Sequence, residues 1–333
     1  MRIGITYDLR ADYLAMGYGE EETAEFDSEI TIAAIADALA ALGWDVVRIG
    51  NVVQLTARLA AGERFDAVFN ICEGLKGLAR EAQVPALLEA FGIPYVFSDP
   101  LTLCLALDKA MAKRVARDCG VPTADFAVLS CAADAADVTL PYPLFLKPVA
   151  EGSGKGVDAH SKVDDAQGLA RVAAELRARF DQPVLAETFL PGREFTVGII
   201  GTGDAAYVLG VSEIRPGENY VGHGYGLANK EDWEDKVLIA EADAVSAAAA
   251  GAVALAAWRA LRCRDGGRVD IREDANGRPY FIEVNPLAGL RPDYSDLCFI
   301  AGHRGLSYRD LIGRIMDAFL RRHPELRARA RAA

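Results

Sequence analysis

The sequence lacks the cysteine spacing of a disulfide-stabilised or zinc-binding protein. Its 333 residues include six cysteines, which lie far apart and form no C-x-x-C pair. In a chain of this length, scattered cysteines indicate reduced thiols and therefore a cytoplasmic protein. The first residues form a strand-like run interrupted by charges, which favours the absence of a signal peptide.

Positive charge and long apolar runs are also scarce. Lys and Arg number 36 against 48 Asp and Glu, so the net charge is −12. Such a chain repels phosphate at long range, which argues against nucleic-acid and anionic-membrane binding. Any phosphate must therefore be held by a local site. The longest apolar stretch, around Val245–Trp258, is mostly alanine and is too short to span a bilayer.

The composition is that of a globular protein, with 51% hydrophobic residues, and the length predicts two or three packed lobes. Residues 1–99 alternate strand and helix patterns. Strands are predicted at Arg2–Tyr7, Asp45–Ile49 and Ala67–Ile71, and a helix at Glu29–Leu42. This alternation predicts an α/β lobe with a doubly wound parallel sheet. No G-x-G-x-x-G follows the first strand, so no dinucleotide site is expected there.

The remaining residues predict two α+β lobes, at 100–186 and 187–333. One helix is expected at Leu101–Cys119 and a long alanine-rich helix at Ala240–Arg262. Pro324 is expected to interrupt a C-terminal amphipathic helix. Four segments are expected to form an antiparallel sheet: Glu194–Ile200, Ala206–Ile214, Gly267–Ile271 and Pro279–Val284.

A glycine-rich segment follows a predicted strand that ends in Leu-Lys147-Pro. Its residues are Glu151, Gly152, Ser153, Gly154, Lys155 and Gly156. Glycines let backbone N–H groups approach phosphate oxygens, and the lysines supply positive charge. The segment is therefore a candidate phosphate-binding lid, although a flexible surface turn has the same composition. It is not a P-loop, because the G-x-x-x-x-G-K-[ST] spacing is absent.

Two neighbouring predicted strands carry polar residues at alternating positions. Arg268 and Asp270 share one face of the first strand, and Glu283 and Asn285 share one face of the second. The turn between the strands would bring the two carboxylates and the amide together. These are hard oxygen ligands suited to Mg²⁺ bridging nucleotide phosphates. A solvated strand face is the alternative.

A third segment begins with a strand at Val184–Glu187 and leads through Leu190 to Glu194. A strand that passes from one lobe to the next offers backbone groups to the edge of an adenine. Glu194 is placed to accept hydrogen bonds from ribose hydroxyls.

In this order, the segments resemble the ATP-grasp fold and, within it, the D-alanine–D-alanine ligase family. The motifs that carry the resemblance are G-I-P-Y-x-x-S-D-P-L-T-L with Asp108-Lys109, L-K-P-x-x-E-G-S-G-K-G, E-T-F-L-P-G-R-E-F-T-V, R-V-D-I, F-I-E-V-N-P-x-x-G-L and G-L-S-Y-R-D-L-I. They span nearly the whole chain. The fold class expected is therefore α/β, with an N-terminal parallel-sheet lobe and two α+β lobes that clamp ATP.

The resemblance implies a role for each matched position. The ATP contacts it implies are Lys109 and Lys147 for the phosphates and adenine region, Glu187 and Leu190 for the adenine hinge, Glu194 for the ribose and Ile282 for the purine face. Asp270, Glu283 and Asn285 match the ligands of Mg²⁺ or Mn²⁺. Arg268 and the Gly289 N–H match the oxyanion donors, and Ser153 matches a serine that orients the catalytic network.

Glu25 is the expected counterpart of the glutamate that receives the ammonium of the first substrate, with Glu22 and Glu29 as alternatives. The residues expected to bind the acceptor, the substrate that supplies the amine, depart from the family pattern, because Tyr294 stands where a serine is usual. Arg291, or Ser295 after a shift of one residue, is the candidate for the acceptor's carboxylate.

Lys230 stands where the family has a carboxylate-binding lysine, but the tyrosine usual after it is missing. Tyr220 and Tyr225 are nearby candidates for that tyrosine.

The function predicted is an ATP-dependent carboxylate–amine ligase that forms an acylphosphate, either of the D-alanine–D-alanine type or specific for another pair. Its substrates are expected to be amino acids or peptides, and a homodimer is possible. A non-catalytic ATP-binding module and a phosphotransferase that ends at a phosphate ester are the alternatives. The complete set of phosphate, metal and oxyanion groups argues against both.

Overall fold

The computed structural model describes residues 1–231 and 233–332 and contains three β-sheets in chain order. The first sheet is parallel, in the order β2-β1-β3-β4, as expected. Its strands are β1 (Arg2–Thr6), β2 (Asp45–Gly50), β3 (Ala67–Asn70) and β4 (Tyr95–Val96). The helices are α1 (Arg10–Ala15), α2 (Glu29–Ala41), α3 (Val52–Ala60) and α4 (Gln83–Ala90), with a 3-10 turn at Arg80–Ala82.

The apolar face of α2 holds this lobe together. Ile35 and Leu39 lie four residues apart on that face and pack with Ile3 and Ile5 of β1, all four fully buried. The α2 helix also packs on the helix Tyr308–Arg322, and one hydrophobic core joins the N-terminal lobe to residues of the third sheet.

The second sheet is antiparallel, in the order β5-β8-β6-β7. Its elements are α5 (Pro100–Leu107), α6 (Lys109–Asp118), β5 (Phe126–Leu129), a 3-10 turn (Ala132–Asp137), β6 (Leu144–Pro148), β7 (Lys162–Val163), α7 (Ala166–Phe180) and β8 (Val184–Thr188). The single helix predicted at Leu101–Cys119 is wrong. Asp108 adopts an extended conformation (ψ 98°), and its carboxylate accepts the Met111 N–H as the cap of a new helix. This break places Lys109 at the first position of α6.

The third sheet is also antiparallel, in the order β11-β10-β9-β12-β13. Its elements are β9 (Glu194–Ile200), a 3-10 turn (Gly203–Ala205), β10 (Tyr207–Pro216), α8 (Leu227–Glu231), α9 (Trp233–Lys236), β11 (Val237–Glu241), α10 (Ala244–Ala260), β12 (Gly266–Glu273), β13 (Pro279–Asn285), α11 (Asp296–His303), α12 (Tyr308–Arg322) and α13 (Pro324–Ala332). The start predicted for the alanine-rich helix, Ala240, is wrong. Asp243 caps α10 by accepting the N–H groups of Val245 and Ser246, and the preceding residues form β11. The predicted interruption at Pro324 is confirmed.

The lobe boundary predicted at 186/187 falls inside β8, which belongs to the second sheet as far as Thr188. The division into three lobes stays a prediction. No helix among the described residues is long and apolar enough to cross a membrane.

Candidate active site

Two cavities meet between the three sheets. The first, here called the nucleotide cavity, lies between the second and third sheets. The second, here called the substrate cavity, measures about 250 Å³ and extends to the N-terminal lobe. Five residues line both cavities: Lys109, Glu151, Tyr225, Lys230 and Glu283. A chemical group bound by these residues is therefore accessible from both cavities.

The nucleotide cavity has aromatic and aliphatic walls. Leu190 and Ile282 line it, as the sequence predicts. Phe145 and Phe189 line it as well, with stacked rings whose centroids lie 6.2 Å apart. The phenylalanines were not predicted, because an apolar residue in a strand (Phe145) or next to one (Phe189) has the same pattern whether it faces a core or a ligand.

Glu187 is held by two buried lysines. Its Oε1 lies 2.8 Å from Lys147 Nζ, and its Oε2 lies 2.8 Å from Lys113 Nζ. Burial would raise the pKa of Glu187, but the two lysines outweigh it and lower the pKa to about 2. The carboxylate therefore positions Lys147 at the nucleotide cavity. Lys113 was missed, although its spacing of four residues from Lys109 is the helical signal that finds it.

Glu194 also lines the nucleotide cavity and already has a cationic partner. Arg272 Nη1 lies 3.2 Å from its Oε2 and donates to the main-chain oxygen of His223 at 2.7 Å. Burial raises the pKa of Glu194 in spite of Arg272. A ribose hydroxyl would share this carboxylate with the arginine.

The predicted metal ligands converge at the end of β13. Asp270 pairs with Glu283 across β12 and β13, next to an irregularity in the register, and Asn285 Nδ2 donates to Asp270 Oδ2 at 3.0 Å. Because Asn285 uses its amide nitrogen here, its carbonyl oxygen is the atom able to ligate a cation. Lys109 Nζ lies 3.4 Å from Glu283 Oε2. Burial would raise the pKa of Glu283, but four cations, Lys109 foremost, lower it to about 2.

This donor set fits a cation that brings ligands of its own. The described part of the chain has no group of three His, Cys, Asp or Glu side chains able to hold a metal. Two carboxylates and one amide oxygen suit Mg²⁺ or Mn²⁺ when phosphate oxygens and water complete the coordination.

Arg268 lines the substrate cavity together with Glu283 and Asn285, two of the predicted metal ligands. Its Nε donates to Thr196 Oγ1 at 3.1 Å and its Nη2 to Asp270 Oδ2 at 3.1 Å, while Nη1 lies 3.5 Å from Asp296 Oδ2. Burial opposes its charge, but the neighbouring carboxylates raise the pKa of Arg268 above its usual value. Gly289 lines the same cavity, so both residues predicted to supply oxyanion donors belong to its wall.

The glycine-rich segment lies folded against its neighbours. Gly154 has φ +72°, and a Cβ there would come within 2.8 Å of Gly226 Cα. The Gly154 carbonyl accepts the Leu227 N–H at 3.2 Å. Ser153, with φ 52°, faces the substrate cavity. The close backbone contact explains why glycine is needed at position 154.

Glu25 anchors this segment to the N-terminal lobe. Its Oε1 accepts the Gly152 N–H at 2.6 Å and lies 3.1 Å from Lys155 Nζ, while Arg80 Nη2 donates to Oε2 at 3.1 Å. Lys155 also lies 2.5 Å from Glu151 Oε2. Burial would raise the pKa of Glu25, but Arg80 and Lys155 hold it below its usual value. The predicted phosphate-binding lysine 155 therefore pairs with two carboxylates in this structure.

The alternatives to Glu25 lie elsewhere. Glu22 accepts the Gly19 N–H at 2.8 Å in its own loop. Glu29 pairs with Arg48 and its side chain is 61% exposed. Neither residue lines the substrate cavity, whereas Glu25 does.

Comparison with known proteins identifies this arrangement. Residues 115–317 match the family model described as "D-ala D-ala ligase C-terminus". A D-alanine–D-alanine ligase of Bordetella petrii is 35% identical over 320 residues, which cover 91% of this chain and 92% of that protein. The chain belongs to the D-alanine–D-alanine ligase family. It is accordingly an ATP-grasp ligase that forms C–N bonds, uses ATP and acts on small amino-acid substrates.

Solved structures show the same fold as this ligase. A D-alanine–D-alanine ligase from Bacillus anthracis complexed with ATP has a TM-score of 0.72 at 24% identity, covering 98% of this chain and 99% of that one. The VanG D-Ala:D-Ser ligase from Enterococcus faecalis has a TM-score of 0.73 at 21% identity, covering 96% and 99%. The ATP-grasp fold predicted from the sequence is confirmed.

The acceptor end of the ligase contains the residues that depart from the family pattern. Ser295 Oγ accepts the Arg291 N–H at 2.9 Å, so the serine stabilises its own turn. The Arg291 guanidinium lies 4.8 Å from the centre of the Tyr294 ring. Tyr294 OH donates to the Lys230 main-chain oxygen at 3.2 Å, and the Lys230 ammonium lies 4.8 Å from the Tyr225 ring. All of these residues line the substrate cavity.

Proposed function

We propose that this ligase joins the carboxyl group of one amino acid to the amine of another by way of an acylphosphate. The observation that carries the proposal is the group of five residues shared by the two cavities. They surround the only place where the γ-phosphate of a nucleotide and the carboxylate of a substrate can meet within the cavities described above. Lys109 and Glu283 belong to this group and lie 3.4 Å apart.

In the first step, a carboxylate oxygen attacks the γ-phosphorus, and the bond to the bridging oxygen of ADP breaks. Lys109 and Lys147 carry positive charge at the nucleotide cavity and would bind the phosphates. Asp270, Glu283 and Asn285 would hold one or two Mg²⁺ ions. When bound, Mg²⁺ neutralises the charge that develops on the transferred phosphoryl group.

In the second step, the amine of the acceptor attacks the acyl carbon, phosphate leaves, and the nitrogen loses a proton. The carbonyl oxygen becomes negative in the tetrahedral intermediate. Arg268 and the Gly289 N–H would stabilise this oxyanion, and both residues line the substrate cavity. The Arg268 side chain is fixed by Thr196 and Asp270, so little reorganisation is needed.

Two substrate pairs are supported by different observations. The names of the relatives favour D-alanine with D-alanine. The acceptor end favours a different pair, because Tyr294 replaces a small serine and Ser295 is already bonded within its turn. Arg291 offers a planar fork that can bind a carboxylate with two hydrogen bonds.

The test is a screen for ADP release over pairs of D- and L-amino acids, with product masses. At least one pair should give an ATP-dependent product whose mass is the sum of both amino acids minus water. The matched control is Asp270→Asn, which should lose turnover while keeping its fold by circular dichroism. ADP release without any condensed product would refute the ligase proposal.

We further propose a cytoplasmic location, which the scattered cysteines and acidic composition support. Association as a homodimer stays a prediction, and sedimentation equilibrium tests it.

A further inference from the structure

Polar side chains alternate along β12 and share one face of the third sheet. Arg268, Asp270 and Arg272 occupy every second position, and the strand pairs in regular register with β9 from Gly266 to Arg272. The first two are a predicted oxyanion donor and a predicted metal ligand. Arg272 is the third member of this row and has no part in the two chemical steps described above.

Arg272 lies beyond the predicted metal ligand Asp270 and beside the predicted ribose acceptor Glu194. Residues two apart in a strand are separated by about 6 to 7 Å, so the arginine is one such step further from Arg268 than Asp270 is. Arg272 pairs directly with Glu194 of β9. Both side chains line the nucleotide cavity and remain partly exposed, Arg272 at 18% and Glu194 at 23%. The cavity therefore has a hydrogen-bond donor next to this acceptor.

One nitrogen of the Arg272 guanidinium makes all of its side-chain hydrogen bonds with the described residues. Nη1 donates to Glu194 Oε2 at 3.2 Å and to the His223 main-chain oxygen at 2.7 Å. Nε is enclosed and has no hydrogen-bond partner within residues 1–231 and 233–332, and Nη2 forms no hydrogen bond with them. The N–H donors on Nε and Nη2 are therefore unused. Unpaired donors at the wall of a cavity are stabilised by a ligand that supplies acceptor oxygens.

Three contacts fix the orientation of this guanidinium. Its carbon lies 5.4 Å from the centre of the Phe189 ring, which also lines the nucleotide cavity. The His223 ring packs edge-to-face on Phe189, with the centroids 5.9 Å apart, and the His223 oxygen attaches Arg272 to the segment between β10 and α8. Glu194 holds the arginine from the neighbouring strand. A donor that is already fixed loses little freedom when it binds a ligand.

We propose that Arg272 is a ribose-binding residue of the ATP site and determines the preference for ribonucleotides over deoxyribonucleotides. Glu194 accepts a hydrogen bond from a ribose hydroxyl, and Arg272 donates through Nη2 to a ribose hydroxyl oxygen. A carboxylate and a guanidinium side by side match a diol, because each hydroxyl both donates and accepts. A deoxyribose leaves one of these charged groups without its partner. The inference rests on the proposed function and names a specificity-determining residue of the same ATP site.

The test measures nucleotide binding by calorimetry with Mg²⁺ present and no amino acid, so that turnover plays no part. The probes are ADP, 2′-deoxyADP and 3′-deoxyADP. The wild type should bind ADP at least tenfold more tightly than one of the two deoxynucleotides, because a hydrogen bond to a charged group is lost. Arg272→Met removes all the side-chain donors and should reduce that preference at least fivefold.

Arg272→Lys is the second variant, for the case in which Arg272→Met fails to fold. It keeps a positive charge beside Glu194, but a compact ammonium lacks the fork that spans Glu194, the His223 oxygen and a ribose hydroxyl. It should reduce the preference at least threefold. Arg278→Met is the matched control, because Arg278 is exposed in the turn between β12 and β13, lies 5.5 Å from the Tyr280 ring and lines neither cavity. It should leave the preference unchanged.

A merely structural role for Arg272 gives a different result. If the arginine only stabilises the segment 217–226, Arg272→Met should weaken the binding of all three nucleotides by the same factor. The preference for ADP would then be unchanged, which would overturn the inference. Equal binding of ADP and both deoxynucleotides to the wild type would overturn it as well.

The two proposals fail separately. A protein that condenses amino acids and keeps its ribose preference without Arg272 overturns this inference alone. A protein whose ribose preference depends on Arg272 and that never yields a condensed product overturns the proposed function alone.

Discussion

Replacing Glu187 by glutamine should destabilise the protein, because two buried lysines lose the carboxylate that compensates their charge. The substitution keeps the shape of the side chain and deletes the charge between Lys113 and Lys147, both within 2.8 Å of its oxygens. Lys113 is fully buried and Lys147 nearly so. The variant therefore leaves two ammonium groups in a desolvated site with no counter-ion between them.

The expected cost follows from the titration of Glu187. A pKa of about 2 against an ordinary value of 4.5 corresponds to about 3 kcal/mol at neutral pH. Removing one partner of a buried pair costs about 3–5 kcal/mol in general. Burial already lowers the pKa of Lys113 in spite of Glu187, so this lysine should release its proton in the variant and limit the loss. We expect a decrease of about 3 kcal/mol in the free energy of unfolding.

Urea unfolding followed by tryptophan fluorescence and circular dichroism measures the change. Glu175→Gln, at an exposed ion pair, is the control and should cost about 0.5 kcal/mol or less. The double variant Glu187→Gln/Lys113→Met removes the surplus charge as well. It should recover at least half of the lost stability and restore part of the affinity for ATP through Lys147.

Strictly additive losses in the double variant would refute the reasoning, because the lysines would then be independent of Glu187. The pH dependence is a second check. The folded-state pKa of Glu187 lies below the unfolded value, so its contribution is complete above about pH 4.5 and is lost as the pH falls towards 2. The difference between wild type and variant should shrink over that interval and stay constant between pH 5 and pH 7.

Three further predictions concern turnover and binding. Glu283→Gln should reduce ADP release at least a hundredfold at saturating Mg²⁺, and near-normal turnover would contradict its role as a metal ligand. Arg291→Ala should raise the KM of the acceptor about 10- to 100-fold through loss of a charged hydrogen bond. Ser295→Ala should change this KM less than threefold. If Ser295→Ala has the larger effect, the serine binds the carboxylate. Gly154→Ala should raise the KM for ATP at least fivefold. Position 154 has φ +72°, and the added Cβ would lie 2.8 Å from a neighbouring backbone atom. An ATP analogue should slow hydrogen exchange across residues 151–156 in the wild type and not in this variant.

Local alternation was enough to predict that the proposed metal ligands lie together. Asp270, Glu283 and Asn285 meet because a two-residue period decides which side chains share a face of a strand, and a short turn pairs the strands. The same reasoning predicted the strands and the parallel order of the first lobe.

Predictions of element boundaries failed where a single side chain decides the outcome. The helix expected at Leu101–Cys119 breaks because the Asp108 carboxylate caps α6, at a position without proline or glycine. Asp243 caps the N-terminus of α10 in the same way. Helical periodicity continues through both sites, so periodicity alone does not reveal the break.

The fold class and the family could be predicted from the sequence alone, because both depend on patterns within short segments. The groups proposed to bind ATP and metal were named from the same patterns. The pairing of each buried carboxylate with its cation could not be predicted from the sequence and became visible only in the folded chain. Glu25 meets Arg80, Gly152 and Lys155 across separations of 55 to 130 residues, and Lys113 meets Glu187 from another element. Coulomb energy depends on distance and burial, and both arise only when the sheets pack together.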